Sequence, residues 1–243
     1  MTWNEVFCNT FKELWKRISP ETRKQVDLML PSWPMVDACR ADSLDAFLPF
    51  IAAGKLSVED MHQACDRYYL GKTKTGAPIY WMIDDMNTPL DAHIGNRWIS
   101  QLLKQREPLI ANWHVQHCLF GLHLLAHTES PISIVESESS AIVLSALFPE
   151  TIWLAYATTS HLVPDLFAPL EGHIVTIYPR TDPTLSNYLF FQDLITLTLQ
   201  RYDLDLTLDT TLEDHATADQ KERCIDLLDY LKESLNAPTP KNS

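Results

Sequence analysis

Nowhere in this chain do two cysteines form a CxxC pair. Cys8, Cys39, Cys65, Cys118 and Cys224 are scattered, which excludes a zinc ribbon and a disulfide framework and makes buried free thiols their expected state. Glycine signatures are missing as well. There is no GxSxG elbow, which excludes that class of hydrolase. The stretch GKTKTG, residues 71–76, lacks the GxxxxGK[ST] spacing of a phosphate loop and runs into a strand instead of a helix, so it is expected to be a turn. No apolar run approaches the roughly 18 residues of a membrane span. The N-terminal stretch MTWNEVFCNTFKELWKR is amphipathic and carries both charge signs, so no membrane partner and a cytoplasmic location are expected. Internal repeats are absent, and the only low-complexity stretch is a short polar tail, with residues 239–243 expected to be flexible.

Positive charge is scarce in the second half. Residues 1–130 hold 13 Lys/Arg against 15 Asp/Glu, a balance of −2, whereas residues 131–243 hold 6 against 17, a balance of −11. The acidic half repels a phosphate backbone unless cations intervene, and it suits a protein partner with a basic surface. An apolar fraction of 46% over 243 residues gives enough material for a true core and excludes disorder as the main state.

The first 130 residues are expected to form a mainly helical portion with a small β hairpin. Helices are predicted at Trp3 to Ile18, Pro20 to Leu30, Ser43 to Ala53 and Ser57 to Tyr69, the last opened by a capping box of Ser57 and Asp60. PSWP, residues 31–34, reads as a helix stop. Ile79 to Ile83 is aromatic and β-branched and reads as a strand, with a hairpin over 78–98 and a helix from Asn96 to Leu103. From Pro131 strands and helices alternate: ISIVES, SSAIVLSALF, TIWLAYA, VPDLFAPL, HIVTIYP, LSNYLFFQDLITLTLQRY, then Asp205 to Leu208 and one closing helix from Ala218 to Leu235. This alternation predicts an α/β domain over 131–238 with a mostly parallel sheet covered by helices. Ile132 to Val135, Ile152 to Ala155 and Ile174 to Tyr178 are expected as adjacent inner strands, because doubly covered strands read as continuous apolar runs.

In such a sheet, functional groups gather at the carboxyl ends of the strands. Glu136 and Asp182 fall at two such ends. Carboxylates facing one another across neighbouring strands are a way to hold Mg²⁺, with water and phosphate oxygens completing the shell. The plainer reading is that Glu136 and Glu138 favour the start of a helix through its dipole, with serines as caps, and that Asp182 in PRTDP is a turn residue.

The segments IVESESSAIVLSALFPETIWLA, VTIYPRTDP and CIDLLDYL, with DRYYLGKTKTGAPIYWMID and HCLFGLHLL upstream, form an ordered series that resembles a Toprim domain. That domain is the metal-binding module of topoisomerases, bacterial primases and recombination proteins, and the series is similar in particular to primase-like Toprim proteins of bacterial mobile elements. The resemblance implies a Rossmann-like fold, magnesium as cofactor and nucleic acid as partner. It makes Glu136 the catalytic acid/base and Glu136, Glu138 and Asp182 the metal ligands, and it assigns no nucleic-acid-binding residue. Arg180 stands where the family has the first Asp of a DxD. A guanidinium that does not deprotonate therefore replaces a ligating carboxylate. Ser139 stands in place of a Lys, and AYATTSHL, residues 155–162, in place of a glycine-rich turn. These departures imply a decayed catalytic site in which Arg180 pairs with Glu136 or Glu138. The zinc module of full-length primases has no cysteine spacing to support it, so no zinc is expected.

Two other constellations carry chemistry. In WHVQHCLFGLHLLAH, His114 and His117, and His123 and His127, have helix-face spacing beside Cys118, a metal-site pattern set against an apolar context that reads as core. Lys12, Lys16, Arg17, Arg23 and Lys24, with Trp15 among them, form a basic cluster that would touch a nucleic-acid backbone or, with Glu13 and Glu21, a solvated surface. Three functional readings follow. The first is a catalytically impaired primase-like Toprim protein acting by binding or assembly in DNA replication or mobilisation. The others are an active Mg²⁺-dependent phosphoryl-transfer enzyme and an acidic protein-interaction module.

Overall fold

A computed structural model describes residues 31–41, 56–95, 97–105, 117–126 and 129–236. The chain divides into two compact units, residues 1–128 and 129–243. The helices expected before residue 31 and over 43–53, the basic cluster of residues 12–24 and the tail all lie outside the described residues.

In the first unit, PSWP, expected to stop a helix that lies outside the described residues, opens one: α1 spans Trp33–Ala38, with Ser32 before it and a proline in its first turn. The reason is that first-turn N–H groups have no intrahelical acceptor, so Pro34 loses nothing there and its fixed φ favours the start. Helix α2, Val58–Arg67, begins at the expected capping box. The Asp60 N–H donates to Ser57 Oγ at 3.0 Å, and the Ser57 N–H donates back to Asp60 Oδ2 at 3.4 Å. Its packed side carries Met61, Ala64 and Cys65.

The hairpin expected over 78–98 is part of a four-stranded antiparallel sheet, ordered β1 (Gly71–Lys72), β2 (Pro78–Ile83), β3 (Pro89–Ile94) and β4 (Arg97–Trp98). GKTKTG supplies β1 and the turn into β2, where Gly76 takes φ +89. Helix α3, Ile99–Lys104, starts three residues later than expected because Arg97 and Trp98 pair with Ile94 and His93. Asp91, fully buried, holds that start by accepting from the Ser100 N–H at 3.0 Å. Trp81, Ile79, Ile83, Ala92 and Ile99 join Met35, Val36 and Cys39 in one core.

Gly71 is required by that core. A Cβ there would meet Trp81 Nε1 at 2.8 Å, Ile79 Cβ at 3.0 Å and the Cys39 carbonyl at 3.1 Å. Gly71→Ala is therefore expected to destabilise the protein by about 1–3 kcal/mol, the usual cost of overpacking. Denaturant unfolding checks this, and an unchanged midpoint would contradict the packing.

In the second unit, β5 (Ile132–Val135), β6 (Ile152–Ala155), β7 (Ile174–Ile177) and β8 (Asp205–Leu208) form a sheet in the order β6-β5-β7-β8. All three pairings are parallel. The protein is thus mixed α/β, with a parallel sheet in one unit and an antiparallel sheet in the other. Ile152 to Ala155 is an edge strand of the described sheet and not an inner one, although all four of its residues are buried. Helix α4, Glu138–Leu147, lies between β5 and β6 in sequence, and α5, Ser186–Leu199, between β7 and β8. VPDLFAPL forms a 3-10 helix, Pro164–Leu170, not an α-helix, with Pro169 inside it, since proline removes a helical donor and clashes with the preceding turn.

The single closing helix expected from Ala218 is also corrected. After a short α6 (Thr211–His215), it is split into α7 (Ala218–Glu222) and α8 (Leu227–Asn236). Cys224 takes φ +51 between them, Ile225 is buried, and its carbonyl accepts the Thr181 N–H at 3.1 Å. Asp226 then starts α8 by accepting from the Asp229 N–H at 2.9 Å, as an N-cap carboxylate does. Satisfying Thr181 and burying Ile225 outweigh the continuity of the helix.

Candidate functional site at the strand ends

The chain leaves β5 toward β6 on one side, then returns past β5 to form β7 on the other. The carboxyl ends of β5 and β7 therefore flank a topological switch point, where open parallel sheets place their ligands. Backbone bonds continue beyond the strands and fix the loops. Ala157 N–H donates to the Glu136 carbonyl at 2.9 Å, and Tyr178 N–H donates to the Ile134 carbonyl at 2.8 Å. Glu136 leaves the end of β5, and Arg180 lies three residues past β7.

The two side chains meet. Arg180 Nη1 donates to Glu136 Oε1 at 2.9 Å and to Oε2 at 3.1 Å, so one nitrogen spans both carboxylate oxygens. The pair is half-buried, with 38% of the Arg180 and 23% of the Glu136 side chain exposed. Burial pushes the Glu136 carboxyl above its ordinary value; Arg180 opposes this, while Asp226 and Glu138 add to it. For Arg180, burial disfavours the charge, but Glu136 outweighs it and the guanidinium stays firmly protonated. The direction that decides the chemistry is the carboxyl's: without Arg180, a crowded acidic group would lose its charge compensation.

Glu138 is buried in the first turn of α4, which is capped by Ser137. Ser137 Oγ accepts from the Ser140 N–H at 3.4 Å and lies 2.7 Å from Ser139 Oγ. Ser140 Oγ in turn donates to Asp226 Oδ2. Asp226 is a site residue that the sequence reading missed. Its one local signal is an acid directly before the amphipathic run LLDYLKESL, which predicts a cap and says nothing of Glu136. Tyr156, buried after β6, belongs to the same neighbourhood: burial first, then Glu136 and Asp226, push its phenol well above the ordinary value, against Arg180. The loop that follows has Ala157 at φ +58 where a glycine would be unstrained.

Asp182 does not join this group as an open ligand. Its Oδ1 accepts from Thr184 N–H (2.8 Å), Thr184 Oγ1 (2.6 Å) and Ser186 N–H (3.1 Å), and its Oδ2 from Asn187 N–H (2.8 Å). Burial alone would raise this carboxyl, but those four donors hold it down to about 2. Asp182 thus ties the loop after β7 to the start of α5. Both oxygens of Glu136 are held by a cation and both of Asp182 by α5 and its approach, so this arrangement does not fit a divalent ion. Among the described residues, no group of three or more His, Cys, Asp or Glu side chains is arranged to hold one.

The described part of the His/Cys stretch resolves as core. Its described part, residues 117–126, contains no α-helix, only a 3-10 turn over Leu122–Leu125 preceded by Gly121 at φ +84. Helix-face spacing therefore has no meaning there, and His114 and His127 lie outside the described residues. Leu119, Phe120, Leu122 and Leu125 are buried. His123 Nε2 donates to the Arg67 carbonyl at 3.0 Å, and burial lowers the pKa of its ring. The Cys118 thiol is held far above its ordinary range by burial, then by Asp84, Asp85 and Asp91, the opposite of what a thiolate ligand needs.

Together these features define an α/β protein with a parallel sheet whose switch point is closed by an ion pair. Residues 45–181 match the family described as a domain of unknown function, DUF6371, and the chain belongs to that family. The matched segment contains Glu136, Glu138 and Arg180 and ends one residue before Asp182. No match was found among curated proteins. No described helix is long and apolar enough to cross a membrane.

Proposed function

We propose that this chain is a primase-like Toprim protein of a mobile element, cytoplasmic, whose catalytic centre has decayed and which acts by binding or assembly in DNA replication or mobilisation. The observation that carries this reading is the Arg180 guanidinium seated on both oxygens of Glu136 at the ends of adjacent parallel strands. The strand order supports it by placing the acid after the first strand beside the loop after the third, where the resemblance puts a metal. In that position a fixed cation neutralises Glu136 and takes the lone pairs that Mg²⁺ would need.

Assays of the full chain with Mg²⁺ are expected to show neither primer synthesis nor strand cleavage, and Glu136→Gln is expected to be indistinguishable from the parent. Metal-dependent turnover that Glu136→Gln abolishes would overturn this reading in favour of an active phosphoryl-transfer enzyme. Binding to single-stranded DNA is expected to weaken as salt rises, because phosphate contacts release counterions. A chain that binds no DNA at low salt would instead be an acidic protein-interaction module.

A further inference from the structure

Helix α5 exposes several large apolar side chains to water among its polar ones. It packs through Phe191, Leu194 and Thr198, which are buried. Away from that face, Leu189 is 52% exposed, Leu197 50%, Leu199 44% and Phe190 36%, and Leu185, just ahead of the helix, 42%. Lone exposed leucines are ordinary, but a cluster on one helix marks an interaction surface. Leu185 is also held at φ +61, a conformation unfavourable for a branched side chain.

An acid sits among these residues. Asp193 follows Leu189 by four positions and Phe190 by three, and precedes Leu197 by four, spacings that make all of them neighbours on the helix surface. It is exposed and has no ion pair among the described residues. Nor do the described residues of this unit offer a spare cation. Arg180, Arg201, Lys221, Arg223 and Lys232, the only Lys/Arg between residues 131 and 236, each already pair with a carboxylate. Asp203 and Asp205, just past α5, are exposed as well.

We propose that this face of α5 docks an amphipathic segment of another protein, an apolar stripe flanked by Lys/Arg, with one cation meeting Asp193 between the leucines. Charge complementarity selects this occupant. A second copy would bring two halves of −11 together and oppose like charges at Asp193. The inference stands on α5 alone and is independent of the reading of the Glu136–Arg180 pair.

The test titrates the full chain into a fluorescent helical peptide, as long as α5 and built only of leucine and lysine in amphipathic order, at physiological ionic strength. A glutamate-for-lysine version is the control. The lysine peptide is expected to bind and the glutamate peptide not to. Asp193→Lys and the double variant Leu189→Gln/Leu197→Gln should each weaken binding about tenfold or more, while Glu150→Lys, an equal charge change on an exposed residue before β6, should leave it within about twofold. These surface variants should keep the parent's circular dichroism. Equal weakening by Glu150→Lys would reduce the effect to bulk charge and overturn the proposal, as would unchanged binding in the leucine variant. A parent dimer that becomes a monomer in the leucine variant would make the occupant a second copy, which also overturns it.

Discussion

Arg180→Asp is expected to give the protein a Mg²⁺ affinity that the parent lacks, on the order of 10⁻³ M or tighter, within the range of weak carboxylate sites. The substitution removes the cation now spanning Glu136 Oε1 and Oε2 at 2.9 and 3.1 Å and puts a carboxylate in its place on the neighbouring strand end. Burial, then Asp226 and Glu138, already push the Glu136 carboxyl upward, so the variant without metal concentrates like charge in a half-buried pocket. It should be less stable than the parent by about 1–3 kcal/mol, the cost of an unpaired, partly desolvated charge. Mg²⁺ should restore that loss in proportion to occupancy, because a ligand bound only by the folded state stabilises it by mass action. Calorimetry and thermal unfolding at matched ionic strength read both effects. Arg180→Ala separates loss of the cation from gain of the acid and should bind Mg²⁺ more weakly than the aspartate variant. If Arg180→Asp takes up no more Mg²⁺ than the parent, the acids do not converge and Glu136 and Glu138 serve only the start of α4.

The parts of this site that were legible from sequence are those set by local pattern. Ile152–Ala155 is an uninterrupted apolar run and Ile132–Val135 is apolar apart from Ser133, because every residue in them is buried, and the βα alternation follows from such runs. The pairing of Arg180 with Glu136 or Glu138 was an expectation of the resemblance, which sets the strands they follow side by side, and the partner is Glu136. What the sequence hid depends on contacts distant along the chain. The break between α7 and α8 answers to the Thr181 N–H seeking the Ile225 carbonyl, and no helix propensity over 218–235 reports that. Asp226 reaches the site through a hydrogen bond from Ser140, 86 residues earlier. VPDLFAPL was misread for a different reason: proline forbids the middle of an α-helix but not its first turn, and with one proline at the start and Pro169 inside the apolar pattern alone does not say that the helix is 3-10.

Asp182 shows how one carboxylate supports two readings, and its replacement carries the second large expected effect. The resemblance makes it a metal ligand, whereas in the structure it organises the turn from β7 into α5. Asp182→Ala should destabilise the protein by about 2–4 kcal/mol, more than an ordinary lost cap, because it strands three backbone N–H groups and a hydroxyl around a buried position. Asp182→Asn keeps an acceptor oxygen and should cost less. The pH dependence gives an independent check. A carboxyl held at about 2 in the fold, against about 3.9 in an unfolded chain, contributes stability that is fully present above about pH 4. That contribution is lost as the pH falls toward 2, because the unfolded state takes up the proton first. With solvent screening, its size is on the order of 1–2 kcal/mol. Between pH 5 and pH 2, the parent should therefore lose that much more stability than Asp182→Asn, as read by urea unfolding at each pH. Parallel pH profiles for the two proteins would mean that the four donors do not hold the ionised carboxylate. The loop after β7 would then be organised by something other than Asp182.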